Sequence, residues 1–176
     1  NNTYRNFNQA KKNAKEVLKK TNCDAIKLES NGKNFNIIKK LVIAGIPVMG
    51  HIGFTPQFKK KFKIEGKSKS EVNKLLKEAE LIQSAGAFSI VLECISPKAA
   101  KLITNILKIP TIGIGSSNNC DGQILVTDDM LGISGFYPKF VKKYVFLDRI
   151  IRNAVKKYAK EVKNRKFPSK KNFLNG

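Results

Sequence analysis

Phe88-Ser89-Ile90-Val91-Leu92-Glu93 is an unbroken apolar run that closes on a carboxylate, and Ser96-Pro97 follows directly behind it. A run of this kind, without polar alternation, fits a strand covered on both faces. Ser96 as N-cap and Pro97 at the first helical position open a helix predicted to reach Leu107. Ile109-Pro110 then returns the chain to extended geometry. Strand, helix, strand in this order is the βα unit of a parallel sheet.

Working outward, the same alternation repeats. Upstream, Ser70 is predicted to cap a helix with the apolar stripe Val72, Leu75, Leu76, Ala79 and Ile82, and Gly86 stands just past its end. Before it, residues 46–51 read as a strand ending at His51, residues 36–43 as a helix closed by Gly45, and residues 25–29 as a strand. Residues 2–20 place Phe7, Ala10, Ala14, Val17 and Leu18 at helical spacing and end in Lys19 and Lys20, which suit a helix C-terminus. Downstream, residues 111–115 and 124–126 supply two more strands. A long helix after Pro138 carries Leu147, Ile150, Ile151, Ala154, Val155, Tyr158 and Val162 on one face. The expectation is a single domain over residues 1–165 with a loose polar tail at 166–176.

With 176 residues and 41% hydrophobic composition the chain can bury one sizeable core. No run approaches the roughly 20 apolar residues that span a bilayer. Asn1-Asn2-Thr3-Tyr4-Arg5 has neither an initiator Met nor a signal-like stretch, so the expectation is a cytoplasmic fragment of something longer. Cys23, Cys94 and Cys120 are odd in number and widely spaced, which predicts free thiols. The net charge of +21 suggests a polyanion partner, but the excess is Lys spread along the chain. Planar phosphate and base recognition favours Arg, present only as Arg5, Arg149, Arg152 and Arg165, so nucleic acid is disfavoured. A dinucleotide G-x-G-x-x-G after the first strand and a phosphate-binding G-x-x-x-x-G-K-[ST] are both missing from the sequence.

Ionisable residues collect at the carboxyl ends of the apolar strands. Lys27 and Glu29 are two apart and share one strand face, His51 ends the next strand, and Glu93 the next. That end of a parallel sheet or barrel builds the active site. Taken singly, Lys27 could snorkel, Glu29 or Glu93 could cap a loop, and a lone His is commonly structural. Repetition at equivalent positions sets the group apart. Residue chemistry alone supplies one carboxylate for Mg²⁺, a second as general base, and a cation and an imidazole for an anionic substrate, with the substrate open.

The block from Gly45 to Gln57, Gly-Ile-Pro-Val-Met-Gly-His-Ile-Gly-Phe-Thr-Pro-Gln, resembles the signature of the ketopantoate hydroxymethyltransferase family. The runs Ala85-Gly86-Ala87-Phe88 to Val91-Leu92-Glu93-Cys94, Ile109 to Gly115, and Cys120 to Val126 match in order, as do Asp129-x-Leu131-Gly132 and Pro138-Lys139-Phe140. The resemblance covers about residues 3–160. It implies a (β/α)₈ TIM barrel of the phosphoenolpyruvate/pyruvate type, with strands four to eight in this chain, and a homo-oligomer. The implied reaction moves a hydroxymethyl group from 5,10-methylenetetrahydrofolate to 3-methyl-2-oxobutanoate, giving 2-dehydropantoate in pantothenate biosynthesis, with Mg²⁺ as Lewis acid. By position, Glu93 is the implied catalytic base, Glu29 part of the metal environment, and Lys27 and His51 the substrate-binding pair. The family's two direct metal aspartates lie upstream of Asn1, so this chain alone is not expected to hold Mg²⁺. Two departures stand out: the segment after Gln57 is short and lacks a Gly-Gly pair, and Ser116-Ser117 replaces Ala-Gly. The alternatives are another Mg²⁺-dependent lyase or mutase acting on a 2-oxo acid, a basic RNA-binding module, or an inactive fragment.

Overall fold

The computed structural model describes residues 3–30 and 32–174. The first compact unit spans residues 1–124. It runs α1 (Phe7–Thr21), β1 (Ile26–Glu29), α2 (Phe35–Ile43), β2 (Val48–Gly53), α3 (Lys69–Ser84), β3 (Ser89–Glu93), α4 (Pro97–Ile106), β4 (Thr111–Ile114) and β5 (Gly122–Gln123). The strands form one parallel sheet in the order β1-β2-β3-β4-β5. Doubly wound sheets reverse strand order at a switch point, whereas unbroken sequential order is that of a barrel wall. The five strands are thus a partial (β/α) barrel, as the sequence predicts.

Register divides the sheet into two chemically different faces. Leu28 pairs with Gly50, Gly50 with Ile90, Ile52 with Leu92, and Leu92 with Gly113. This outer face packs on the helices: Leu28, Val48, Ile52, Ile90 and Leu92 join Ile38, Leu41, Leu75, Ile82 and Ile103 in one core. Burial of such an aliphatic side chain contributes about 1.5–3 kcal/mol. Gly50 is what lets α3 approach, because a Cβ there would stand 2.4 Å from Ile82 Cγ2. The inner face carries Lys27, Glu29, Met49, His51, Ser89, Val91 and Glu93, each two residues from the next on its own strand.

Several boundaries differ from the sequence reading, each for a local reason. α1 begins at Phe7 because Asn6 takes extended geometry and its side chain accepts from Gln9 N–H, leaving residues 3–6 non-helical. β2 continues two residues past His51 to Gly53. α3 is capped by Ser68 and not Ser70: Glu71 stands three residues after Ser68 and closes a reciprocal capping box with it. Ser96 caps α4 as expected. β5 is Gly122–Gln123, earlier than the predicted 124–126, because it pairs with Ile112 and Gly113.

The second compact unit, residues 125–176, holds α5 (Thr127–Leu131), α6 (Leu147–Lys163) and a 3₁₀ turn (Lys170–Asn172). The short α5 was not foreseen, and the long helix starts at Leu147, nine residues after Pro138. Ile150, Ile151, Val155 and Tyr158 of α6 are more than half exposed, which leaves its predicted apolar face largely uncovered. Among the described residues, no helix is long and apolar enough to cross a membrane.

Leu92 is fully buried on the outer face. Leu92→Ala is expected to cost about 2–5 kcal/mol, read as a lower urea midpoint with unchanged slope.

Candidate active site

Three of the four predicted residues form a continuous line on the inner face. Lys27 Nζ lies 3.1 Å from His51 Nδ1, and His51 Nε2 lies 3.1 Å from Glu93 Oε2. An ammonium group only donates, so Nδ1 must accept, and a neutral ring then carries its proton on Nε2, facing the Glu93 carboxylate. That Nε2 is buried and off the line of a hydrogen bond, so it meets the carboxylate in distance but not in alignment. The three differ in access: the His51 side chain is 2% exposed and that of Glu93 14%, while Lys27 is exposed.

Glu29 stands beside His51 in register but turns to a different partner. Its Oε2 accepts from the Gln57 backbone N–H at 2.9 Å and its Oε1 from Gln57 Nε2 at 3.2 Å. The Thr55-Pro56-Gln57 turn makes this possible, because the Thr55 carbonyl accepts from both Phe58 N–H and Lys59 N–H at 2.9 Å. Gln57 is therefore the residue that fixes Glu29, 28 positions away in sequence. Sequence reading had it in the signature without a role. Tyr4 adds a second unforeseen neighbour: its hydroxyl is buried without a partner. Burial, and then the negative charge of Glu29, push that phenol up to about 12.

Glu93 is held from both sides. Gly53, its register partner on β2, has φ +90, and a Cβ built there would stand 2.1 Å from the Glu93 carbonyl oxygen. The same carbonyl accepts from Phe54 N–H at 2.8 Å. On the other side, Cys94 takes φ +52, uncommon for a non-glycine residue, and its N–H donates to the Ile114 carbonyl at 2.9 Å. Burial, followed by the charges of Glu93 and Glu65, pushes the Cys94 thiol up to about 11.

The two departures from the family pattern are both built into the rim. Lys59 Nζ donates to the Gly53 carbonyl at 2.7 Å and pairs with the Glu65 carboxylate. Glu65 N–H donates to the Cys94 carbonyl, and Ser96 N–H to the Glu65 carbonyl. Phe62 stacks on Phe54 with centroids 4.2 Å apart. The short segment after Gln57 is thus stitched to the end of β3. Ser116 Oγ donates to the Ile95 carbonyl, and Ser117 Oγ accepts from Asn119 N–H and Nδ2. Both serines are consumed by the loop that follows β4.

No three His, Cys, Asp or Glu side chains among the described residues converge as a metal set. Glu29, the implied metal residue, has both oxygens on Gln57. Among the described residues these side chains do not form a complete ligand set for Mg²⁺.

Two outcomes test this geometry. Gly53→Ala meets both a positive φ and a backbone atom, whereas Gly45→Ala, at φ +78 with open space, meets only the first. Gly53→Ala is expected to destabilise by at least about 1–2 kcal/mol more than Gly45→Ala in parallel urea titrations. Of the three thiols, exposed Cys23 is expected to react with an aromatic disulfide reagent at pH 8 well before buried Cys94, whose raised pKa keeps it protonated there.

The family model for ketopantoate hydroxymethyltransferase matches residues 2–170. A 3-methyl-2-oxobutanoate hydroxymethyltransferase of Pelagibacter ubique (strain HTCC1062) is 49% identical over 170 residues, which cover 97% of this chain and 66% of the relative. The protein of the same name from Francisella tularensis subsp. tularensis (strain FSC 198) is 48% identical over 172 residues, 96% of this chain and 65% of the relative. That of Syntrophus aciditrophicus (strain SB) is 47% identical over 164 residues, 91% and 60%. The chain spans just under two thirds of the length of these relatives. It belongs to the ketopantoate hydroxymethyltransferase family.

Proposed function

We propose that this chain carries the proton-abstraction half of a hydroxymethyl transfer from 5,10-methylenetetrahydrofolate to 3-methyl-2-oxobutanoate, giving 2-dehydropantoate and tetrahydrofolate with water as the source of the hydroxyl oxygen. The observation that carries this reading is the line Lys27–His51–Glu93 on the inner face at the carboxyl ends of β1 to β3. The C3–H of a 2-oxo acid is weakly acidic because the enolate delocalises onto the C2 oxygen. A carboxylate in a half-closed position is a suitable base for it, and Glu93 has that setting. Lys27, exposed and cationic, is placed to attract the substrate carboxylate. His51, with Nε2 3.1 Å from Glu93 Oε2, stands beside that carboxylate and restricts where it can turn.

Mg²⁺ belongs to the proposal through the family, as a Lewis acid for the oxo acid. Glu29 contributes a fixed negative charge whose hydrogen bonds to Gln57 hold it in place. A homo-oligomer is part of the same reading, and the uncovered apolar residues of α6 support it.

Deuterium exchange at C3 of 3-methyl-2-oxobutanoate, followed by proton NMR with Mg²⁺ present, tests the proposal. It is run on this chain and on the chain supplied with the remaining third of its relatives' length. Glu93→Gln is expected to slow exchange by about 10²–10⁴-fold with oxo-acid binding retained. Exchange at the unmodified rate in that variant would remove Glu93 as base, and no exchange in either length of protein would sink the function.

A further inference from the structure

The inner face changes chemistry at β3. On β1 and β2 it presents Lys27, Glu29 and His51, and on β3 it ends at Glu93. Register continues the same face onto β4 and β5: Ile114 stands beside Glu93, Ile112 beside Val91, and Gly122 beside Ile112. The paired residues of that far half carry no charge. Ile112 and Ile114 are half-buried, which leaves apolar surface open on the side of the Glu93 carboxylate. Gly122 supplies the space under them: a Cβ built there would stand 2.9 Å from Ile112 Cδ1. From behind, β4 is clamped. Thr111 is fully buried and donates through its N–H and its hydroxyl to Asp121 Oδ2, at 2.8 and 2.9 Å. The Gly113 carbonyl accepts from Ile124 N–H at 3.0 Å, and a Cβ at Gly113 would stand 2.8 Å from Gln123 Oε1. The two isoleucines therefore project from a fixed backbone, and β-branched side chains are stiff about their first torsion.

We propose that Ile114 and the Ile112–Gly122 pair are specificity-determining residues that set the size of the branch a 2-oxo acid can carry at C3. This rests on the function proposed above, which turns the carboxylate of the acid toward Lys27 and its C3 toward Glu93. Beyond C3 an acid in that orientation has left the polar half of the face, and its C3 substituents meet Ile114 and Ile112. A polar substituent would lose its hydration there without gaining a partner. An unbranched chain leaves the wall unfilled, and a longer one collides with it. One methylene more or less in such a pocket changes selection by about 10–200-fold.

Two variants move the wall in opposite directions. Ile114→Val withdraws one carbon, and Gly122→Ala adds one beneath Ile112, whose Cδ1 is a side-chain end and yields toward the cleft. Both are small changes, and circular dichroism checks that each variant is folded. C3 deuterium exchange with Mg²⁺, on the same two lengths of protein, is compared for 2-oxobutanoate, 3-methyl-2-oxobutanoate and 3-methyl-2-oxopentanoate as ratios of kcat/KM, in which any loss common to all three acids cancels. Ile114→Val is expected to favour 3-methyl-2-oxopentanoate over 3-methyl-2-oxobutanoate by about tenfold more than the unmodified protein does. Gly122→Ala is expected to move preference by about the same factor toward 2-oxobutanoate. Ratios that stay put in the folded variants, while the unmodified protein exchanges, overturn this inference alone. No exchange by the unmodified protein removes the function, and this inference with it.

Discussion

The close approach of β2 to β3 at Gly53 and Glu93 is the constraint on which the rest of the site depends. With no side chain at Gly53, the Glu93 carbonyl comes close enough to accept the Phe54 N–H. That contact aligns the two strand ends, and register then sets His51 and Glu93 on the same face two residues apart along the sheet. Lys59 returns to the Gly53 carbonyl and ties the rim segment to the same point. One backbone contact thus fixes Glu93, its imidazole neighbour and the loop above them. Glycine is required there for space, whereas at Gly45 it serves only the left-handed turn that follows α2.

Much of this was legible in the sequence because the relevant signals are local. The period of two places Lys27 with Glu29, and the apolar runs mark buried parallel strands; both survive in the structure. What escaped reading depends on distant partners or on two local signals in competition. Residues 46–51 read as a strand that ends at His51, yet pairing with β3 keeps the chain extended through Gly53. Ser68 and Ser70 are both plausible caps, and only Glu71's reach back to the Ser68 N–H decides between them. Ile124-Leu125-Val126 has the stronger strand composition, but the residues in register with β4 are Gly122 and Gln123, and only Ile124 N–H of the later run reaches it, at the Gly113 carbonyl. Gln57's hold on Glu29 joins segments 28 residues apart and leaves no trace in local pattern.

The two carboxylates of the inner face have been given opposite electrostatic settings by their neighbours. Glu29 accepts one amide hydrogen bond on each oxygen from one residue and is 5% exposed. Glu93 faces an imidazole whose proton is near but misaligned, and it keeps access to the cleft. The difference arises from the turn after β2, which delivers Gln57 to one side, and from the left-handed Cys94, which turns the chain away on the other. Elsewhere the scarce acids are structural: Asp121 accepts from both the backbone N–H and the hydroxyl of Thr111, which holds its pKa below the usual carboxylate value.

The parity of the sheet also sorts the chain by its tolerance to changes of length over evolution. Inserting or deleting one residue within β1, β2 or β3 would rotate every later side chain of that strand to the other face, exchanging an acid for a core aliphatic. The rim segment after Gln57 has no such alternation to preserve, since it is secured by discrete contacts of Lys59, Phe62 and Glu65. Lineages are therefore free to lengthen or shorten that rim while strand lengths stay frozen, and divergence in this fold will be recorded as gaps between strands and not within them.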